Sequence, residues 1–320
     1  MNIYNQIWKK IKENDKIIIA SHIRADGDCI GCAIGLRETI KATYPKKDVK
    51  ALYEDVSYLH FLGKCDSCLD EEFKDALVIS VDNSNLSRTN DLRIQGAKEI
   101  IKIDHHPNKE PFGTNINFVD EDKCACAEMI FDLFLAKRHS SISKLGVEAL
   151  FTGIVTDSGR FKYPGVTGET MMKVGMMYEM GLDGNKILNY LDEVSLEELR
   201  FKGFVLSSMK QTEHGVLYIK IKPEDREKYQ VAYDDASNMV NAMAGVEGSP
   251  IWVLFNEAKP DEIRCRVRSI GIKINDTCFD FGGGGHENAG GIVVHDYKKV
   301  DELLNALDKK LEKFKAENQK

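Results

Sequence analysis

The first half of the chain alternates short runs rich in β-branched residues with segments of helical periodicity. "KIIIA" (16–20), "VKALY" (49–53), "ALVISVD" (76–82) and "EIIKID" (99–104) read as strands, several of them apolar on both faces. Between them, "IGCAIGLRETIKATY" and similar stretches repeat apolar residues at helical spacing. Strands alternating with helices imply a parallel sheet covered on both sides. "AEMIFDLFLAKR" (127–138) and "KLGVEALFTGIVTD" (144–157) extend the pattern, the second as a central, strand-like apolar run.

From about 168 to 211 the signal is mainly helical, and Met171, Met172, Met176, Met177 and Met180 are expected to fill core at helical spacing. Beyond it, "GVLYIKI", "PIWVLFNE" and the alternating "EIRCRVRSIGIKI" read as strands. "FDFGGGGHENAGG" breaks the pattern, and a last helix carries Val300, Leu303, Leu304, Leu307, Leu311 and Phe314 on one stripe. The expected fold class is therefore α/β: an N-terminal parallel sheet flanked by helices over 1–185, a helical connector over 186–211, and a smaller α+β domain over 212–320. A length of 320 residues suits two domains.

The net charge of −7 argues against long duplex DNA as a partner, which demands a broad basic surface. A short, highly charged phosphate ester needs only a local cluster of cations and N–H groups. The N-terminal stretch has Ile3, Ile7 and Ile11 on one helical face and no apolar signal region, and no apolar run is long enough to span a membrane. A cytoplasmic protein without a membrane partner is expected. Of the eight cysteines, Cys29/Cys32 and Cys65/Cys68 form C-x-x-C pairs. Their spacing departs from zinc ribbons, and packing thiols are the expected reading over a zinc or redox site.

Chemistry concentrates where apolar runs end. His22, Asp26 and Asp28 follow "KIIIA" in "SHIRADGDCIG", Asp82 ends "ALVISVD", Asp104, His105 and His106 end "EIIKID", and Asp157 ends "GIVTD". An Asp-Gly-Asp turn alone reads equally well as a helix cap. Parallel strands, however, present all their C-terminal ends on one edge, where ligands of open α/β sheets bind. Carboxylates gathered there require a cation. Carboxylate and imidazole donors suit manganese, iron(II) or magnesium, and so many donors fit two ions sharing a carboxylate. Such a pair serves phosphoester hydrolysis. In the second unit, Gly282–Gly285 before His286 would let backbone N–H groups approach an anion, and His286, Arg268 and Ser269 could add charge and hydrogen bonds to a phosphate. Arg160, just after Asp157, is a further candidate phosphate contact, and a surface arginine is an equal reading.

With "SHIRADGDCIG", "VDNSN", "IDHHPN", "GIVTDSGRF" and "FGGGGHENAGG" in this order, nearly the whole chain resembles the DHH phosphoesterase superfamily, and its second unit resembles the DHH-associated domain of the nanoRNase/pAp phosphatase branch. The resemblance implies an active site in the cleft between the domains and two divalent ions, manganese foremost. It implies that His22, Asp26 and Asp82 hold one ion, and that Asp28, Asp82, His105 and Asp157 hold the other. Asp104 would orient a histidine ring and His106 would meet the scissile phosphate. Gly283, Gly284, Gly285, His286, Arg268 and Ser269 would belong to the substrate-binding half. The chain departs from the family pattern at Ala25, Cys32 and Asn85, none of them a proposed ligand.

The implied activity is manganese-dependent hydrolysis of very short single-stranded RNA, with 3′-dephosphorylation of adenosine 3′,5′-bisphosphate (pAp). Cyclic di-AMP or pApA hydrolysis, a RecJ-like exonuclease, a silent nucleotide sensor and a Cys-based zinc or redox protein stand as alternatives. A homodimer is one open assembly state.

Overall fold

The computed structural model describes residues 2–107, 111–163 and 165–318, so Met1, Asn108, Pro164 and Lys320 of the expected segments lie outside the described residues. The chain divides into two compact units, Met1–Glu193 and Val194–Lys320.

In the first unit, β1 (Lys16–Ala20), β2 (Asp48–Leu52), β3 (Leu77–Val81), β4 (Glu99–Asp104) and β5 (Ile116–Val119) form one sheet in the order β2-β1-β3-β4-β5. Every pairing is parallel. The period of two sends Ile17, Ile19, Ile79, Val81, Ile101 and Ile103 to one core and Ile18, Ala20, Val78 and Ile100 to another. Burial on both faces is why these strands carry continuous apolar runs. The short edge strand β5 carried no sequence signal of its own.

Among the described residues, the α-helices beside this sheet are α1 (Ile3–Glu13), α2 (Gly27–Thr43), α3 (Asp70–Asp75), α4 (Cys126–Leu135), α5 (Lys144–Asp157), α6 (Gly168–Glu179) and α7 (Gly184–Asp192). Residues 144–157, expected as a strand-like run, are helix α5. The helix is buried on nearly all sides, and such a helix loses the amphipathic period that would reveal it. It lies directly against α2: a Cβ on Gly27 would sit 2.2 Å from Thr156 Oγ1, and one on Gly31 2.5 Å from the Ala149 carbonyl oxygen. Small residues at 27, 31 and 35 thus let two helix backbones touch.

The methionine expectation fails in part. Met177 is buried, but Met171, Met172, Met176 and Met180 are exposed. The packed face of α6 is held instead by Thr170, Lys173, Val174 and Met177. Lys173 Nζ meets Glu128 at 2.9 Å, Asp132 at 2.6 Å and Glu169 at 2.8 Å.

The second unit has a mixed sheet, β10-β11-β9-β8-β7-β6, from β6 (Lys210–Gln211), β7 (Leu217–Ile221), β8 (Ile251–Lys259), β9 (Glu262–Ser269), β10 (Gly284–His286) and β11 (Ala289–Val294). Its helices are α8 (Leu196–Ser208), α9 (Pro223–Tyr229), α10 (Tyr233–Asn238), α11 (Asn275–Asp280) and α12 (Tyr297–Asn318). Leu303, Leu307 and Leu311 of α12 cover Ile263, Cys265 and Val267 of β9, while Phe201 and Val205 of α8 cover Leu217, Ile219, Trp252 and Leu254. Of the segment 186–211 read as a connector, α7 packs in the first unit and α8 in the second.

Candidate metal centre and anion-binding face

The strand order 2-1-3-4-5 reverses direction between β1 and β3, and open sheets of this kind bind ligands beyond that switch point. His22 follows β1, Asp82 follows β3, and His105 and His106 follow β4. Asp26 caps α2, its Oδ1 accepting from the N–H groups of Asp28 (3.1 Å) and Cys29 (3.0 Å), while its Oδ2 faces His22 Nε2 at 3.9 Å. Asp26 thus caps the helix with one oxygen and leaves the other turned toward His22. Asp157 arrives from the C-terminal end of α5, brought in by the α2–α5 contact rather than by a strand.

Asp82 stands at the middle. Its Oδ2 lies 3.4 Å from His22 Nε2, and its Oδ1 lies 3.6 Å from His105 Nε2 and 3.5 Å from His106 Nδ1. The residue is 2 % exposed, and Oδ1 has no hydrogen-bond partner among the described residues. Its backbone is left-handed, φ +50°, a conformation that costs a non-glycine residue about 1–3 kcal/mol. Two donor groups result, His22/Asp26/Asp82 and Asp28/His105/Asp157, with His105 Nε2 3.3 Å from Asp157 and 3.9 Å from Asp28. A third grouping joins Asp82, His105 and His106, and no grouping among the described residues contains a cysteine.

Neighbouring acceptors fix the rings. His22 Nδ1 donates to the Ile23 carbonyl (2.8 Å) and His105 Nδ1 to the Lys123 carbonyl (3.1 Å), which aims both Nε2 atoms into the cluster. His106 differs, because its Nδ1 donates to Asp104 Oδ1 at 2.9 Å. Asp104 is fully buried with Lys102 Nζ 3.2 Å from its other oxygen; despite burial, His106 and Lys102 hold its carboxyl below the usual range. Asp28 accepts from the N–H groups of Cys126 (2.6 Å) and Ala127 (2.9 Å) at the start of α4, and from the Cys32 thiol at 3.5 Å. Six of the eight cysteines are buried, and Cys65 and Cys68 are partly so.

The cluster calls for positive charge. Burial, then the charges of Asp82, Asp157 and Asp26, push Asp28 well above the ordinary carboxylate value. Burial and then Asp82 raise Asp26, and burial with Asp82 and Asp26 raises Asp157 to about 6. His22 is pushed up to about 11, burial opposing and the Asp82 hydrogen bond prevailing. Protons taken up by carboxylates and imidazole mark a site that divalent cations would neutralise. Hard oxygen and imidazole donors, together with the orphan Oδ1 of Asp82, fit divalent metal ions.

Arg160 and Ser269, both candidate phosphate contacts, have protein partners within their own units. Arg160 donates to Asp192 Oδ1 at 2.5 Å and to the Leu191 carbonyl, so its guanidinium ties α5 to α7. Ser269 points to the buried side, donating to the Ile272 carbonyl at 2.5 Å and accepting from Asn288. Period two explains this, since Ser269 alternates with its neighbour Arg268.

Arg264, Arg266 and Arg268 share the other face of β9, a row the alternation of "EIRCRVRS" held without its being singled out. Strand register aligns Arg268 with Ala289 and then His286, and Arg266 with Gly291 and then Gly284. Arg268 and His286 therefore leave the same sheet face. A cavity of about 670 Å³ is lined by the three arginines, Gly282, Gly283 and Gly291 among others. A Cβ on Gly283 would lie 2.3 Å from the Gly291 carbonyl oxygen, and Gly285 has φ +142°, so glycine is required at both.

Residues 16–154 match the DHH family N-terminal domain and residues 213–313 the DHHA1 domain. The chain is 32% identical over 305 residues to the bifunctional oligoribonuclease and PAP phosphatase NrnA of Bacillus subtilis, covering 95% of this chain and 97% of that protein. It is 32% identical over 306 residues to the NrnA of Mycoplasma genitalium, covering 94% and 95%. The crystal structure of an exopolyphosphatase-related protein from Bacteroides fragilis superposes with a TM-score of 0.86 at 26% identity, covering 99% of this chain and 97% of that one. The chain belongs to the DHH family, with a DHHA1 domain as its second unit.

Proposed function

We propose that the chain is a phosphoesterase that hydrolyses very short oligoribonucleotides to mononucleotides and removes the 3′-phosphate of pAp, using two divalent ions, manganese foremost. The observation that carries this reading is Asp82, one oxygen toward each donor group. Relatives named for both activities match along almost the full chain.

His22, Asp26 and Asp82 would hold one ion, and Asp28, Asp82, His105 and Asp157 the other. Bound there, the ions supply charge neutralisation at the phosphoryl oxygens and acidify water at neutral pH. Asp104 keeps a proton on His106 Nδ1 and raises its pKa against burial, so His106 enters as a cation able to pair with a phosphate oxygen. The carbonyls of Ile23 and Lys123 hold the ligand rings at their set tilt. In the second unit, Arg268 and His286, on one sheet face beside the glycine turn, bind the phosphates of the nucleotide. Domain roles follow: residues 1–185 carry metal chemistry and 212–320 carry substrate binding.

The test is a turnover panel of pAp, a short RNA, pApA and cyclic di-AMP with manganese, run with wild type and Asp82→Ala. Short RNA and pAp should be preferred, and Asp82→Ala should fall to background because one change strips a ligand from both ions. Near-normal turnover by the variant would sink the two-ion assignment, and preference for cyclic di-AMP would favour the neighbouring activity.

A further inference from the structure

Helix α11 buries Cys278 and turns Phe279 outward, leaving the larger, more apolar side chain 57 % exposed. Hydrophobicity alone would favour the reverse. A Cβ built on Gly284 would meet one group within 4 Å, the Phe279 ring at Cε1, 3.8 Å away. Gly284 pairs with Gly291, and Gly291 pairs with Arg266. Residues directly opposite in antiparallel pairs project from the same face. The register therefore runs, on one face, from a guanidinium across two positions without side chains to an aromatic ring. The two strand steps from Arg266 to Gly284 span about 10 Å.

Gly291 is informative because nothing local demands it. A Cβ there would meet nothing within 4 Å, and its φ is not in the left-handed region. It lines the cavity shared with Arg264, Arg266 and Arg268. Arg266 donates to the neutral Asn238 at 3.1 Å, and burial together with Arg264 and Arg268 lowers its pKa, with Asp234 and Tyr233 offsetting them only in part. An anion on that side and a flat apolar group on the other would fill the row.

We propose that Phe279 is the stacking face for a nucleobase whose phosphate is carried by Arg266 across a floor made by Gly291 and Gly284. The site is a mononucleotide subsite within the second unit. It is tolerant of base identity, because every base offers a π face. It rests on the nucleotide reading above.

Binding of adenosine 5′-monophosphate and ribose 5-phosphate to the full chain tests it, since the probes share a phosphate and differ in the base. Phe279→Ala should weaken the nucleotide roughly ten-fold or more and leave the sugar phosphate as it was. Phe279→Trp should restore nucleotide binding. Gly291→Val, which fills the floor, should weaken both. Equal nucleotide affinity in wild type and Phe279→Ala, an equal loss for both probes, no rescue by Trp, wild-type binding in Gly291→Val, or no nucleotide binding by wild type each overturns the subsite. Binding is read without turnover. A chain that hydrolyses short RNA but does not depend on Phe279 refutes the subsite alone, whereas Phe279-dependent binding without hydrolysis refutes the reaction alone.

Discussion

Burial and the charges of Asp82 and Asp26 raise the Asp157 carboxyl to about 6, against the pull of His105, and Asp26 and Asp28 are raised beside it. Cations that bind these carboxylates must displace the protons, so apparent affinity rises with pH as the groups ionise. Manganese binding measured by calorimetry should weaken from about pH 7.5 to about pH 5.5, and Asp157→Asn should flatten that dependence while lowering affinity at the upper end. A pH-independent affinity in wild type would contradict the assignment of Asp157 as a ligand. Asp104 answers a different measurement. Asp104→Asn removes the anion that charges His106 but none of the proposed ligands, so kcat should fall about 10–100-fold with manganese content retained. Loss of the metal in that variant would instead make Asp104 a ligand.

Between elements, two contacts support the candidate site. The α2–α5 contact brings Asp28 and Asp157 together through glycines, and Gly31→Ala would put a methyl 2.5 Å from the Ala149 carbonyl oxygen. Forcing the helices apart should cost about 1–3 kcal/mol, seen as a lower melting temperature, and should weaken manganese binding in the folded variant. The α4–α6 contact rests on charge. Lys173 is 4 % exposed and Glu128 1 %, with a 2.9 Å separation. Lys173→Ala removes the nearer of two lysines from the buried Glu128, leaving Lys123 Nζ at 3.8 Å, and should destabilise by about 2–3 kcal/mol, less than a fully broken buried pair. Pairing it with Glu128→Gln should recover part of the loss in a chemical denaturation series, because the buried charge that has lost its nearest lysine is then gone.

At the scale of the molecule, each unit covers both faces of its own sheet. Every proposed metal ligand lies in Met1–Glu193. Ligands that bind only the folded state raise the transition of the unit they bind. Calorimetry should therefore resolve two transitions, with manganese raising one and leaving the other in place. A common upward shift of both would show that the units unfold together. Among the described residues no helix is long and apolar enough to cross a membrane.

The strands and their common C-terminal edge were legible because a sheet buried on both faces writes itself as uninterrupted apolar runs, and parallel order puts every run's last residue on one side. His22, Asp82, Asp104, His105 and His106 followed from that edge alone. Asp157 was found for a different reason than its position warrants, since α5 is a helix whose all-round burial erased its period. Chain order cannot state which oxygen of Asp82 turns to which histidine, that Arg160 spends its guanidinium on Asp192, or that the methionines of α6 face outward. Those outcomes depend on partners distant in sequence. The sequence by itself carried the candidate donors and, through its resemblance, their sharing at Asp82, whereas only the tertiary structure decided which oxygen of Asp82 faces which histidine, because side-chain direction is set by what packs against it.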